Sequence, residues 1–173
     1  MTIHEPIASF TSLAFVAAAV LVALGPGPES SLLVAAFALA GASSFMFHLS
    51  GSERNTPAHR ADEGSIYGLV LAITYHMWNE PAWLLVLGSI ALGFVLLNLK
   101  KANLLVIAPA ASVAALIGLW VNHGTDAALH ALAFVAMAGV ARVASEKYLS
   151  DVLHGAWHVL ITYAALYAWC VAS

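Results

Sequence analysis

The sequence predicts an all-α integral membrane protein, a bundle of seven transmembrane helices forming one domain over residues 1–173. Three observations carry that prediction. First, 62% of the chain is hydrophobic and only 9% is charged, and its mean hydropathy is +0.89. A soluble domain carries about 25% charged residues. A chain this poor in charge cannot cover its own surface with polar groups, so lipid must be part of its solvent. Second, the apolar residues fall into seven segments, each close to the roughly 17–25 residues that a spanning helix needs. Third, all six basic residues fall on one side of such a bundle.

The first segment runs over about 7–24 and is broken by Gly25-Pro26-Gly27-Pro28. The second covers about 29–50, with Gly51 placed to end it. After a polar loop, Thr56 reads as an N-cap and Pro57 as the first residue of a third helix over about 57–78. Asn79-Glu80-Pro81 turns the chain into a fourth segment, about 82–99. Past Lys100-Lys101, a fifth covers about 103–121, bent at Pro109. The turn Asn122-His123-Gly124 leads to Thr125 as the cap of a sixth, about 126–143. The last begins between Ser145 and Ser150, at about 148, and ends near 169. No repeat, low-complexity tract or linker divides the chain.

With seven spans, Arg54, Arg60, Lys100, Lys101, Arg142 and Lys147 share the side that also holds the N-terminus. The positive-inside rule makes that side cytoplasmic and puts the C-terminus outside. The start of the chain has no positively charged n-region, so the first segment reads as a retained helix, not a cleaved signal. The Ala-rich, loop-poor build points to a prokaryotic cytoplasmic membrane. A net charge of -3 without a basic tract excludes a nucleic-acid partner. Cys170 is the only cysteine, so there is neither an internal disulfide nor a cysteine-based metal cluster.

Ionisable residues inside a span are costly and mark function. The second segment carries Ser44 and His48, four apart on one face near its cytoplasmic end. The third carries Asp62-Glu63 in its first two turns. The last carries His154 and His158, again four apart and near the same side. Each has a plain structural alternative. Ser44 could bond the carbonyl four residues back. Asp62 could serve only the helix dipole. The histidine pair could simply be packed. What favours a site is that all five lie at one depth. Three imidazoles with an open fourth position describe a catalytic zinc centre, although imidazole also suits iron, nickel and copper. His154-Gly155-Ala156-Trp157-His158 has no internal glutamate, unlike the metalloprotease His-Glu-x-x-His. The proton acceptor must then come from another helix, and Asp62 is the best placed. The remaining polar groups read differently. His59 lies close enough to be a spare ligand but reads as solvated, and His76, His123 and His130 lie toward the outer face. Asp151 and Glu146 read as exposed capping residues or as partners of the histidine rings. Trp78, Trp83, Trp120 and Trp169 read as an interfacial belt.

Ser44-x-x-x-His48, Asp62 and His154-x-x-x-His158 resemble the pattern of the CREST superfamily of seven-helix membrane proteins. That superfamily includes alkaline ceramidases, progestin and adiponectin receptors, and lipid-remodelling hydrolases of GPI anchors. Phe47-His48-Leu49-Ser50, Asp62-Glu63 and the aromatic before His158 are most similar to the ceramidase branch. The chain departs from the family in being short, with almost no extramembrane region. The resemblance implies that His48, His154 and His158 bind Zn²⁺. It implies that Asp62 takes a proton from the attacking water and returns it to the leaving group. Ser44 would orient that water or support the oxyanion. The implied partner is a membrane lipid substrate, ceramide or another acyl lipid, cleaved at an amide or an ester.

Two other functional classes compete. One is a zinc-stabilised lipid-binding receptor or sensor without turnover, which the lack of a sizeable soluble region disfavours. The other is a channel, transporter or retinal photoreceptor. The last segment has no interior lysine to hold retinal, and no charged row traces a path through the membrane.

Overall fold

The computed structural model describes residues 5–25, 31–51, 56–78, 84, 88 and 104–172, with only the backbone at 104–110. Among these residues there are six helices and no strand. They are α1 (Pro6–Leu24), α2 (Ser31–Ser50), α3 (Pro57–Met77), α4 (Leu104–His123), α5 (Thr125–Tyr148) and α6 (Asp151–Ala172). The expected segment at about 82–99 lies outside the described residues apart from Leu84 and Gly88. Four helices, α1, α2, α5 and α6, are long and apolar enough to cross a membrane. Their outward faces carry large apolar side chains, such as Phe10, Leu39 and Val140, exposed at 73%, 64% and 71%. An aqueous surface of that kind would be costly, so the bundle is compatible with a lipid surround.

Several ends follow from local chemistry. Thr56 caps α3, its hydroxyl accepting from the His59 N–H at 3.3 Å, with Pro57 next. Gly51 ends α2 with a φ of 61°. One expectation needs correction here. The cap of α5 is Gly124, not Thr125. With a φ of 93°, Gly124 alone makes the turn between α4 and α5, a conformation that suits glycine. The Thr125 hydroxyl instead accepts from the Trp120 indole at 3.2 Å. The backbone of α4 is helical on both sides of Pro109.

The larger correction concerns the last two helices. α5 extends to Tyr148, more than a turn beyond its expected end, and α6 starts only at Asp151. Leu149, in the left-handed region at φ 49°, closes α5, and the Ser150 N–H returns to the Ser145 carbonyl at 3.1 Å. A helix C-terminus closed this way satisfies its orphan carbonyls.

One hydrophobic core joins all six helices. It includes Phe15 of α1, Phe37 of α2, Ile73 of α3, Leu119 of α4, Ala131 of α5 and Trp169 of α6. Trp169 is thus a buried core residue and not part of an interfacial belt. Trp78 is half-buried and donates to the Ala114 carbonyl at 3.0 Å. Trp120 is exposed. Trp83 lies outside the described residues. Gly41 sits in the α1–α2 seam. A Cβ on Gly41 would sit 3.0 Å from the Val16 backbone nitrogen, so the two backbones nearly touch. Small residues allow such approach, and between helices in lipid packing is a main source of attraction.

Candidate metal centre

The starts of α1, α3 and α6 and the end of α2 meet at one end of the bundle. Every described basic residue, Arg60, Arg142 and Lys147, lies at that end too. His48, His154 and His158 converge there. One ring nitrogen from each lies within 4.8 Å of the others, and all three residues are buried. His48 is 1% exposed, His158 is 0% and His154 is 7%. The ring centroids are 4.6 Å apart for His48 and His154, and 5.0 Å for His154 and His158. Packed, satisfied histidines would have their nitrogens paired. His48 Nε2 instead has no hydrogen-bond partner among the described residues, and neither has Asp62 Oδ1. Asp62 Oδ2 stands 3.9 Å from that same Nε2. An unpaired imidazole nitrogen facing a buried carboxylate with one unpaired oxygen is expensive in a dry site. A divalent cation suits this donor set of neutral imidazole lone pairs beside a carboxylate. The residues therefore fit a metal.

Ser44 joins the same cluster. It is fully buried, and its Oγ lies 3.3 Å from His158 Nε2 and 3.0 Å from Ser12 Oγ. The back-bonded serine is its neighbour: the Ser43 hydroxyl donates to the Leu39 carbonyl at 2.7 Å. All five residues singled out in the sequence, Ser44, His48, Asp62, His154 and His158, are thus brought together.

Four contributors to the cluster were not foreseen. Glu5 Oε2 accepts from His48 Nδ1 at 2.8 Å and from His154 Nδ1 at 2.9 Å. Burial by itself raises the Glu5 carboxyl. The hydrogen bonds from His154 and His48 outweigh that and hold it well below the usual carboxylate range, so Glu5 is an anion. Thr11 and Ser12 of α1 approach His158 Nδ1 at 3.2 and 3.3 Å. That nitrogen also lies 3.1 Å from the Ala8 carbonyl. Arg142 of α5 reaches His154 Nε2 at 3.3 Å, Glu63 at 3.3 Å and Glu146 at 3.2 Å, and it stacks over Trp157. A glutamate just before a proline-started helix, followed by a serine and threonine face, was the available signal. It became readable only once α1 was known to cross α6 at the histidines.

The remaining expectations divide. His59 is half-buried and not solvated, 3.6 Å from Glu63 and in tilted ring contact with Phe47, outside the converging triad. Glu146 pairs with Arg142, and among the described residues it pairs with no histidine ring. Asp151 caps a helix, but not its own: it accepts from the Ile7 and Ala8 N–H groups of α1 at 2.8 and 2.7 Å. His76 is buried at the far end of α3. His130 is exposed and stacks with Tyr167, away from the cluster.

Fold and site together define a bundle of apolar helices with three buried histidines that could hold a metal ion at one end. No family model, curated protein or solved structure matches the chain.

Proposed function

We propose that this chain is a seven-span, zinc-dependent lipid hydrolase of the CREST type, cleaving the amide of a ceramide-like lipid, with ester cleavage as the nearest variant. The observation that carries the reading is the unpartnered His48 Nε2 facing Asp62, inside a buried triad of imidazoles. When bound, zinc would supply Lewis acidity and bring the pKa of a water it holds to about 7. Asp62, 3.9 Å from His48 Nε2, would be the group that takes a proton from the attacking water and returns it to the leaving amine. Ser44, held between Ser12 and His158, offers its hydroxyl to the water or to the carbonyl oxygen as charge develops there. The packed apolar walls keep bulk water out and strengthen each of these interactions.

An apolar cavity beside the site supports a lipid as the substrate. It is lined by Ile66, Ile73 and Met77 of α3, Leu119 of α4, and Ile161 and Ala168 of α6. It begins one turn beyond Asp62 and less than one turn beyond His158. At 1.5 Å per residue, Ile66 to Met77 covers about 16 Å, but the enclosed space is only about 50 Å³, so an acyl tail would enter only as the helices part. The scissile bond would then lie at the histidine end and the chain between the helices. The residues at that end, rich in charge, belong at the headgroup boundary, on the cytoplasmic side by the positive-inside rule.

A second reading keeps the metal but drops turnover: a lipid-binding receptor or sensor whose ion only ties helices together. The approach of Asp62 to His48 Nε2 at 3.9 Å favours it, because that carboxylate brought onto the ion would close a fourth position. Incubating purified protein with a panel of ceramides and other acyl lipids separates the two. The hydrolase reading expects release of fatty acid, lost in folded His154→Ala. Full activity in Asp62→Ala would sink the mechanism, and a zinc-loaded protein inert on every lipid would favour the sensor.

A further inference from the structure

The ring nitrogens of the three histidines are not used at random. His48 and His154 both direct Nδ1 to Glu5 Oε2. His158 directs Nδ1 to the Ala8 carbonyl. Every outward nitrogen thus ends on the first turn of α1 or the residue before it. An anionic oxygen can only accept, so each Nδ1 that bonds it must carry the proton. The lone pair is then left on Nε2. For His48, that Nε2 is the atom with no partner among the described residues. For His158 it faces Ser44, and for His154 it takes a long contact from Arg142, which Glu63 and Glu146 also hold.

Glu5 is fixed where it must be to do this. Its carbonyl accepts from the Ser9 N–H at 2.9 Å and the Ser9 hydroxyl at 3.0 Å, and Pro6 starts the helix directly after it. Asp151 then holds the N–H groups of Ile7 and Ala8 against the start of α6. His154 is one turn along from Asp151. The carboxylate is therefore carried to the rings by two anchored backbones.

We propose that Glu5 is a positioning residue of the metal centre: one carboxylate oxygen sets the tautomer and orientation of His48 and His154 together, presenting both Nε2 lone pairs. This rests on the metal-centre reading above. Carboxylates behind metal-binding histidines raise ligand basicity and fix the ring. Here a single residue serves two rings from two helices. Charge supports the same role. A dication in a dry site needs compensating anions. Glu5 and Asp62 supply two negative charges, while Arg142 is answered by Glu63 and Glu146.

The test is zinc affinity, by chelator competition, of wild type, Glu5→Gln and His48→Ala in detergent, alongside the unfolding midpoint of each without metal. We expect Glu5→Gln to bind zinc about 10–100-fold more weakly while its metal-free midpoint stays near that of wild type. The His48→Ala variant should lose binding. Unchanged affinity in Glu5→Gln, with wild type binding and His48→Ala not, would overturn the role of Glu5 and leave the metal centre standing. Wild type that binds no better than His48→Ala would overturn the metal centre and this inference with it. Nitrogen-15 spectra of the histidines in metal-free wild type keep the proposal open to refutation even if Glu5→Gln does not fold. Nδ1–H tautomers at His48 and His154 are required, and Nε2–H tautomers there would refute it.

Discussion

Replacing Asp151 by alanine should unfasten the start of α1 without disturbing the start of α6. In an α-helix the first N–H groups lack partners inside the helix. In α1 all of them are accounted for. Pro6 has none, Ile7 and Ala8 donate to the two Asp151 oxygens, and Ser9 donates to the Glu5 carbonyl. α6 has its own cap, since Ser150 Oγ accepts from the Leu153 N–H at 3.3 Å. Asp151 is thus free to serve its neighbour. Loss of a capping side chain costs about 0.5–2 kcal/mol, and a carboxylate at a helix N-terminus adds about 0.3–1 kcal/mol. Because Asp151 is half-exposed, water can replace part of both. We therefore expect Asp151→Ala to destabilise the bundle by about 1–3 kcal/mol in equilibrium unfolding from mixed micelles. Asp151→Asn should lose about half as much, because one oxygen can still accept. Zinc affinity should fall with stability, since the residue released beside Ile7 is the one before Pro6, namely Glu5. An Asp151→Ala protein within about 0.5 kcal/mol of wild type, the range of unremarkable surface changes, would refute this account of how α1 is anchored.

Three further predictions test the packing and the charges. Gly41→Leu should cost at least about 1–3 kcal/mol, because even its Cβ would lie 2.6 Å from Val16 Cγ2 and 3.0 Å from a backbone nitrogen; thermal unfolding in detergent measures it, and Gly41→Ala should cost less. Stripping metal with a chelator should lower the unfolding midpoint of wild type and leave that of His48→Ala unmoved. At a free zinc concentration 100 times the Kd, the stability at stake is about 2.7 kcal/mol. Arg142→Gln should change stability by only about 0–1 kcal/mol, as half-exposed ion pairs do, even though the arginine meets two carboxylates and a histidine.

The site was legible in the sequence to the extent that its residues sit on regular helices. Ser44 with His48, and His154 with His158, follow from a spacing of four, which needs no knowledge of tertiary contacts. Asp62 could be matched to them by depth alone. Glu5, Thr11, Ser12 and Arg142 could not, because each matters only through the helix it meets across the bundle. A glutamate before a proline looks like a frayed end until Asp151 of a distant helix is seen to hold Ile7 and Ala8. The boundary between α5 and α6 was missed for a related reason. Residues 144–148 are as acceptable in one helix as in the next, and the chain reversal is set by Leu149, whose left-handed backbone nothing in its side chain announces.

That late boundary carries a consequence for depth. With α6 starting at Asp151, His154 lies in its first turn, where a histidine would ordinarily meet headgroups and water. Yet His154 is 7% exposed and His158 is 0% exposed. Dryness here comes from cover and not from depth. α1 passes across α6 at Gly155, where a Cβ would meet Ile7 Cγ2 and Thr11 Oγ1 at 3.0 Å. The glycine between the two histidines lets α1 approach closely enough to lay Glu5, Ala8, Thr11 and Ser12 over the rings. The His-Gly-Ala-Trp-His string therefore encodes two things at once. Its histidines face the site at a spacing of one turn, and its glycine admits the helix that seals them. In the proposed membrane setting, a cluster at the end of the bundle closed by an adjoining helix would lie near the headgroup boundary, where an amide-linked lipid holds its polar group. The same cover that keeps water away thus leaves the histidines within reach of the bond that the proposed reaction cleaves.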